Sequence, residues 1–139
     1  MKIIFQENKF NIEKEISRFS AKNTSVGSII SFIGKVREIN NDKKLRELEI
    51  SCYKKMASFQ TKKIVEKFVK TNQIEDYLII HRFGRLMPSE NILIILVASK
   101  HRKEGFIFVE EIIKWFKTKI TFWKKENYID GSKWLDKQT

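Results

Sequence analysis

Lysines alternate with aromatic residues near the end of the chain, in the stretch WFKTKITFWKKEN at 115–127. Lys117 falls near the end of a predicted helix and Lys124 in an extended segment, so their amines meet if the chain turns back between them. Neighbouring ammonium groups repel, which favours loss of a proton from one of them, and a neutral lysine is a base and a nucleophile. The spacing allows a reactive amine pair. A solvated cationic face, the default for lysine, fits the same spacing.

His101 and Arg102, within SKHRK at 99–103, offer a second kind of chemistry. They follow an apolar segment that predicts a strand and precede a predicted helix. The N-terminus of a helix presents free backbone N–H groups and the positive end of the helix dipole, and both attract anions. The junction can therefore hold a phosphate, although exposed junction residues without a ligand are the commoner case.

Several other classes of site are excluded by their missing motifs. His81 and His101 belong to no HExxH or CxxC pattern, and the five glycines form no GxGxxG or GxxxxGK[ST] loop. Cys52 has no His or Asp beside it in sequence and is expected to be a small apolar strand residue. No RNP-type aromatic motif or GxxG loop is present, but basic residues interleaved with Phe and Trp leave a non-enzymatic RNA-binding module open.

The composition predicts one globular domain spanning residues 1–139. The chain has a formal net charge of +11, a single cysteine and 42% hydrophobic residues. The charge suits an anionic partner, and one cysteine suits a reducing compartment. No signal peptide is evident, and the longest apolar run, ILIILVA, is far shorter than the roughly 20 residues of a membrane span. We therefore expect a cytoplasmic protein that does not contact membranes.

The elements that position these residues follow from the periodicity of the apolar side chains. Alternation predicts a strand at 45–53, runs rich in apolar, β-branched and aromatic residues predict strands at 2–6, 28–37, 76–86 and 91–99, and helical stripes predict helices after Asn11, at 54–71 and from Lys103. Polar segments predict turns at 23–27 and 87–90, a loop at 38–44, and an extended tail with a turn at Asp130-Gly131. Short turns favour antiparallel pairing. The predicted class is α+β, with a mainly antiparallel sheet and about three helices.

Some aromatic and apolar residues are assigned to the core by the same periodicity. Met56 and Phe59 fall on the stripe of the second helix, and Phe106 and Phe116 on that of the third. Trp123 is also expected to pack. On this view the aromatics of 115–127 form a scaffold that fixes the lysines.

Six segments, taken in order, resemble the large catalytic subunit of molybdopterin synthase, the MoaE family. They are GSIISFIGKVR (27–37), LEISCYKKMA (48–57), IIHRFGRLMPSE (79–90), VASKHRKEGF (97–106), FKTKITFWKKE (116–126) and DGSKW (130–134). They are similar to the family's G-x-VR strand end, L-x-x-E-x-Y-x-x-MA stretch, HR-x-G-x-L-x-x-G-E turn, S-x-HR-x-x-x-F junction, lysine signature and closing G-x-x-W. Ser89 stands where the turn commonly has Gly, and Ile120-Thr121 where Pro is frequent.

The resemblance implies an α/β-hammerhead-like fold and a sulfur-transfer reaction. The family converts cyclic pyranopterin monophosphate into molybdopterin, whose dithiolene receives two sulfurs. These arrive as thiocarboxylates on the C-terminus of a small ubiquitin-like partner that ends in Gly-Gly. The large subunit forms a homodimer within a heterotetramer. No metal or redox cofactor is implied for this subunit, and no nucleic acid. An inactive relative that only binds the partner remains an alternative.

The resemblance also assigns roles residue by residue. Lys117 matches the catalytic lysine and Lys124 the second lysine. The matches to substrate-binding positions are Lys35, Val36, Arg37, His101, Arg102, Lys125 and Glu126, and Lys133 lies where the family often has Arg. Cationic side chains suit an anionic pterin phosphate and an anionic thiocarboxylate, and Arg can bind phosphate bidentately.

Overall fold

Three helices and nine strands make up the described part of the chain, residues 1–129 and 131–135 of a computed structural model. In chain order they are β1 (Lys2–Gln6), α1 (Ile12–Lys22), β2 (Ser28–Lys35), β3 (Ile39–Asn40), β4 (Lys43–Cys52), α2 (Lys54–Asn72), β5 (Ile74–Arg82), β6 (Gly84–Leu86), β7 (Asn91–Ser99), α3 (Arg102–Thr118), β8 (Phe122–Tyr128) and β9 (Gly131–Leu135). The predicted α+β class, with mainly antiparallel pairing, is confirmed.

The first sheet has the strand order β1-β5-β7-β2, and only its β1–β5 pair is parallel. Helices cover both of its faces: Phe19 of α1 packs on one face, and Val65 of α2 and Phe108 of α3 pack on the other. Strands covered on both faces read as continuous apolar runs. This explains the sequence NILIILVAS of β7, whose last seven residues are all buried.

A side-chain cap fixes the start of α1, and the bounds of α3 place two of the predicted site residues. Asn11 caps α1 as predicted, and its side-chain oxygen accepts a hydrogen bond from the Lys14 N–H at 2.9 Å. His101 is the residue that precedes α3, and Lys117 lies in the last turn of α3. The helix buries a stripe of residues at 105, 108, 109, 112 and 116, and His101 and Lys117 lie at its opposite ends.

The second sheet has the order β3-β4-β8-β9, with β6 also paired to β4. Side chains alternate between the faces of a strand. Phe122, Glu126 and Tyr128 of β8 are buried on the inner face, which Lys124 shares, while Trp123 is exposed on the outer face. The inner face joins the same core as the first sheet.

Several predicted boundaries are wrong. The predicted loop at 38–44 is mostly a hairpin, since β3 pairs with the start of β4 around Asn41 and Asp42, whose φ values are 51° and 62°; these left-handed conformations are the ones a tight hairpin turn needs. The strand predicted at 28–37 ends at Lys35, and that at 76–86 is interrupted at Phe83. The tail is extended as predicted and forms the β8–β9 hairpin. Asp130, of its predicted turn, lies outside the described residues.

Four predictions of burial are also wrong. Phe106 is 60% exposed, Trp123 54%, Met56 47% and Phe59 65%. The buried stripe of α3 starts at Gly105, one residue before Phe106, because Gly105 faces β2 at a distance where an added Cβ would lie 2.8 Å from Ile30. The prediction for Phe116 is confirmed, since it is buried against Phe5 and Phe122.

Candidate functional site

A cavity of about 140 Å³ opens between the end of β2 and the inner face of the second sheet. Its charged walls come from two parts of the sequence that are distant along the chain. The residues that line it are Lys35, Val36, Arg37, Leu45, Leu48, Ile92, Lys124, Glu126 and Leu135. The tertiary structure therefore brings the basic end of β2, expected to bind substrate, together with the second lysine of the C-terminal signature.

Lys124 is the most unusual titratable group of this cavity. Its side chain lies on the inner face of β8, between the buried residues Phe122 and Glu126. Burial lowers the pKa of Lys124, and the positive charge of Lys117 lowers it further. Both effects disfavour the ammonium form. The two lysines are thus within electrostatic range of each other, as their spacing suggested, with Lys117 exposed at the end of α3 and Lys124 inside.

His81 lies beside Lys124, a neighbour that the sequence did not reveal. Its ring is fully buried and stacks on Phe122, with centroids 4.4 Å apart and an interplanar angle of 14°. The Nδ1–H donates to the Arg82 carbonyl at 2.8 Å. Burial, aided by the charge of Lys124, lowers the pKa of His81 to about 3. The imidazole is therefore neutral near pH 7 and adds no positive charge next to Lys124.

Glu126, expected to bind substrate, has its carboxylate engaged by two protein side chains. The Asn40 side-chain amide donates to both carboxylate oxygens at 2.8 Å, and the Tyr128 hydroxyl donates to one of them at 2.8 Å. All three residues are buried. Glu126 thus forms a fixed anionic wall next to Lys124. No sequence signal pointed to Asn40 or Tyr128, because Asn40 falls in the segment predicted to be a loop.

His101 and Arg102 do not lie near this cavity in the same chain. Both are exposed at the N-terminus of α3, where His101 makes no side-chain cap. The His101 carbonyl accepts a hydrogen bond from Ser99 Oγ at 2.6 Å. Sixteen residues separate His101 from Lys117, or about 24 Å of helix at 1.5 Å per residue. One copy of the chain cannot bring all the predicted site residues together.

Lys125 and Lys133 also lie away from the cavity wall. Lys125 pairs in register with Trp134 of β9, and its ammonium lies 5.6 Å from the centre of the Trp134 ring, a favourable cation–π geometry. Lys133 is exposed and lines a separate cavity of about 250 Å³ with Asn40 and Tyr128. These two lysines belong to neighbouring surfaces.

Two further features of the described residues are not part of this site. A larger cavity, about 380 Å³, is lined by Ile64, Lys67, Phe68 and Thr71 of α2 and by Trp115 and Lys119 at the end of α3. Trp115 and Lys119 are one helical turn apart, whereas Lys117 lies on the other side of α3. Cys52 is half-buried at the end of β4, and burial raises the pKa of its thiol, which disfavours the nucleophilic thiolate.

The MoaE protein family model matches residues 5–119 of the chain. The chain belongs to the MoaE family. This MoaE chain is 37% identical over 131 residues to the molybdopterin synthase catalytic subunit of Ralstonia nicotianae, covering 94% of this chain and 74% of that protein. It is 33% identical to the corresponding subunit of Pyrococcus abyssi, with 96% and 89% covered. Membership places it in molybdenum-cofactor biosynthesis, among the catalytic subunits of molybdopterin synthase.

Solved MoaE structures share the whole architecture. The crystal structure of molybdopterin synthase from Staphylococcus aureus superimposes with a TM-score of 0.85 at 31% identity, covering 97% of this chain and 98% of that one. A complex of subunits 1 and 2 of the Helicobacter pylori molybdopterin-converting factor superimposes with a TM-score of 0.78 at 16% identity, a likeness of fold. Among the described helices of this MoaE chain, none is long and apolar enough to cross a membrane.

Proposed function

We propose that this MoaE-family chain transfers two sulfurs to cyclic pyranopterin monophosphate, forming the dithiolene of molybdopterin. The donor is the C-terminal thiocarboxylate of a small ubiquitin-like subunit ending in Gly-Gly. The observation that carries the proposal is the half-buried Lys124 within electrostatic range of Lys117, in a cavity whose rim also contains Lys35 and Arg37. Such a site favours two anions, the substrate phosphate and the thiocarboxylate, and also lowers the proton affinity of its own amine.

Lys117 is the amine best placed to react. It is exposed at the end of α3, where a partner's tail can reach it, and it lies within electrostatic range of Lys124. After a thiocarboxylate has given up its sulfur, its acyl carbon must be taken by another nucleophile. Attack by water leaves a carboxylate on the tail, and attack by the Lys117 amine leaves an amide. Lys117 can act as an acid or base in the first case and as the nucleophile in the second.

Lys124 supplies charge and orientation. When protonated, its ammonium shares the cavity with the Glu126 carboxylate and with the cations Lys35 and Arg37 at the end of β2. Since it is largely removed from water, each of its electrostatic interactions is stronger than at the surface. We propose that it orients the thiocarboxylate while Lys35 and Arg37 hold the phosphate.

His101 and Arg102 require a second copy of the chain if they bind the same substrate. The length of α3 keeps them about 24 Å from Lys117, and the exposed side chains of Phe106 and Ile107 lie one turn further along the helix. Exposed apolar residues next to a candidate anion site favour contact with another protein. We propose a homodimer in which this end of α3 completes the cavity of the other copy, within a heterotetramer with two small subunits. The complex of two subunits from Helicobacter pylori supports the choice of partner, and the single free cysteine suits the cytoplasm.

Reconstitution tests this proposal. The chain is mixed with a thiocarboxylated Gly-Gly-ended partner and cyclic pyranopterin monophosphate, and molybdopterin is measured. We expect Lys117→Ala to lower turnover by about 100-fold or more, the typical range for loss of a proton-transfer group, and to leave partner binding unchanged. Lys119→Ala is the matched control, since Lys119 is an exposed lysine two residues away, and it should remain active. Full activity of the Lys117 variant would refute its catalytic role.

RNA binding is a second candidate, favoured by one observation. Trp123 and Trp134 are both more than half exposed, on the outer side of the second sheet with Lys125 next to Trp134, and exposed rings beside a cation can stack bases. An RNA-binding module would show an affinity that falls steeply with salt and no pterin conversion. Partner binding without conversion would instead indicate an inactive relative.

A further inference from the structure

Of the two cations near the end of β2 that line the cavity, Lys35 is the last residue of the strand and Arg37 lies beyond it. β2 ends at Lys35, after a register shift between Gly34 and Lys35. Val36 and Arg37 follow it and belong to no strand. A residue outside a sheet lacks the ladder of hydrogen bonds that fixes a strand. Lys35 still pairs with Asn91, but some other contact must hold Val36 and Arg37 in place.

The turn at 87–90 provides that contact. The Val36 N–H donates to the Glu90 carbonyl at 2.9 Å, and the Ser89 N–H donates to the Val36 carbonyl at 2.8 Å. Both backbone polar groups of Val36 are thus satisfied by this turn, and its side chain is buried, with 3% exposed. The turn clamps the residue between Lys35 and Arg37, so its shape fixes the position of Arg37 and of the end of β2 at Lys35.

The carboxylate of Glu90 in turn holds the turn. It accepts a hydrogen bond from the Met87 N–H at 2.6 Å and forms ion pairs with Lys9 at 3.2 Å and Arg82 at 3.3 Å. Ser89 adopts a φ of 67°, which is unfavourable for a residue with a side chain. A turn with an unfavourable residue keeps its shape only if surrounding contacts enforce it.

Arg82 ties this arrangement to the first sheet. Only 5% of Arg82 is exposed, and its Nε donates to the Glu7 carbonyl at 3.0 Å. Burial alone would raise the pKa of the Glu90 carboxyl, but the Met87 N–H and the charges of Lys9 and Arg82 outweigh burial and lower it. Glu90 is therefore an anion that joins the end of β5 to the turn.

We propose that Glu90 is a positioning residue: it holds the turn that clamps Val36 and so fixes Lys35 and Arg37 at the rim of the cavity. The identity of the bound anion, the phosphate of the pterin substrate, rests on the proposed function. The inference that Glu90 holds the turn, and that the turn holds Val36, rests only on the hydrogen bonds and ion pairs.

The first measurement is steady-state kinetics of Glu90→Gln in the complete enzyme, with the thiocarboxylated partner in excess. Displacement of the two rim cations should raise KM for cyclic pyranopterin monophosphate about tenfold or more, because a displacement of about 1 Å strongly weakens their interaction with the substrate. The kcat should change by less than about threefold, since Lys117 and Lys124 stay in place. Glu90→Asp keeps the charge on a shorter side chain, so its KM should lie between the values of Glu90→Gln and the unaltered enzyme.

Asp76→Asn is the matched control. Asp76 is another carboxylate with two ion pairs, at 3.0 Å to the N-terminal ammonium and 3.4 Å to Lys22, but it lies near the opposite end of β5. Its substitution should lower Tm without changing KM. If Glu90→Gln lowers Tm in the same way and leaves KM unchanged, Glu90 is merely structural and the proposal is overturned.

The second measurement does not depend on activity. Amide hydrogen exchange of Val36 and Ser89 should be faster in Glu90→Gln than in the unaltered chain, whereas Asp76→Asn should leave both amides protected. If the unaltered enzyme makes no molybdopterin, the proposed function fails, but the exchange rates still test whether Glu90 holds the turn that bonds Val36. Unchanged protection of the Val36 amide in Glu90→Gln would overturn the proposed role of Glu90. If Glu90→Gln does not fold, Glu90→Asp undergoes both measurements, with smaller changes expected in the same directions.

Discussion

Replacement of His81 by Phe should remove a specific part of the protein's sensitivity to acid. The imidazole is buried against Phe122, and its Nδ1–H donates to the Arg82 carbonyl at 2.8 Å. Burial, and then the charge of Lys124, lowers its pKa from 6.5 to about 3. A phenyl ring preserves the stacking on Phe122 and has no proton to gain. The change therefore separates the titration of this residue from its packing.

The sign and size of the effect follow from proton linkage. Below pH 6.5 the imidazole of the unfolded chain takes up a proton, whereas that of the folded chain does not until the pH approaches 3. Stability rises with pH wherever the unfolded state binds more protons, so the folded chain loses stability as the pH falls through this window. At 1.36 kcal/mol per pH unit, His81 accounts for a loss of about 2 kcal/mol between pH 7 and pH 5. At pH 7 the variant loses the hydrogen bond, about 1 kcal/mol.

Urea unfolding at pH 7 and pH 5 measures this difference. His81→Phe should lose about 2 kcal/mol less between the two pH values than the unaltered chain. Other groups that destabilise the fold in acid, such as Asp76 and Glu90, cancel in the comparison. Phe116→Leu is the control: its ring lies 5.2 Å from His81, so it disturbs the same cluster with a cost that does not depend on pH. Equal losses for His81→Phe and the unaltered chain would refute the reasoning.

Two other substitutions test the walls of the cavity. Tyr128→Phe removes the hydroxyl that donates to Glu126 at 2.8 Å and leaves the buried carboxylate with Asn40 alone, so urea unfolding should show a loss of about 1–3 kcal/mol; an unchanged midpoint would mean that Asn40 satisfies Glu126 by itself. Ser89→Gly relieves the φ of 67° while it keeps the N–H that bonds Val36, and should raise stability by up to about 1 kcal/mol, measured as an increase in Tm. A lower Tm would show that the Ser89 side chain stabilises the turn.

Local sequence patterns were sufficient for the elements that depend on nearby residues. The Asn11 cap, the buried run of β7 and the turn at 87–90 were all predicted, because a cap and a turn have local sequence signals and a strand covered on both faces is a continuous apolar run. The hairpin at Asn41-Asp42 was missed because polar residues in a turn also occur in loops. Phe106 and Trp123 were placed inside because periodicity shows which residues share a face, but not which face meets the core.

The candidate site also combines features that the sequence predicted with features that only folding determines. The residue types by themselves established a basic α+β chain with two lysines capable of chemistry near its end, and the ordered motifs identified the family. Only the tertiary structure decided that Lys124 is half-buried near Lys117 and His81, that Glu126 is fixed by Asn40 and Tyr128, and that His101 lies a helix length away. The physical reason is that pKa and reactivity depend on burial and on neighbouring charges, and these come from residues distant in sequence that folding brings together.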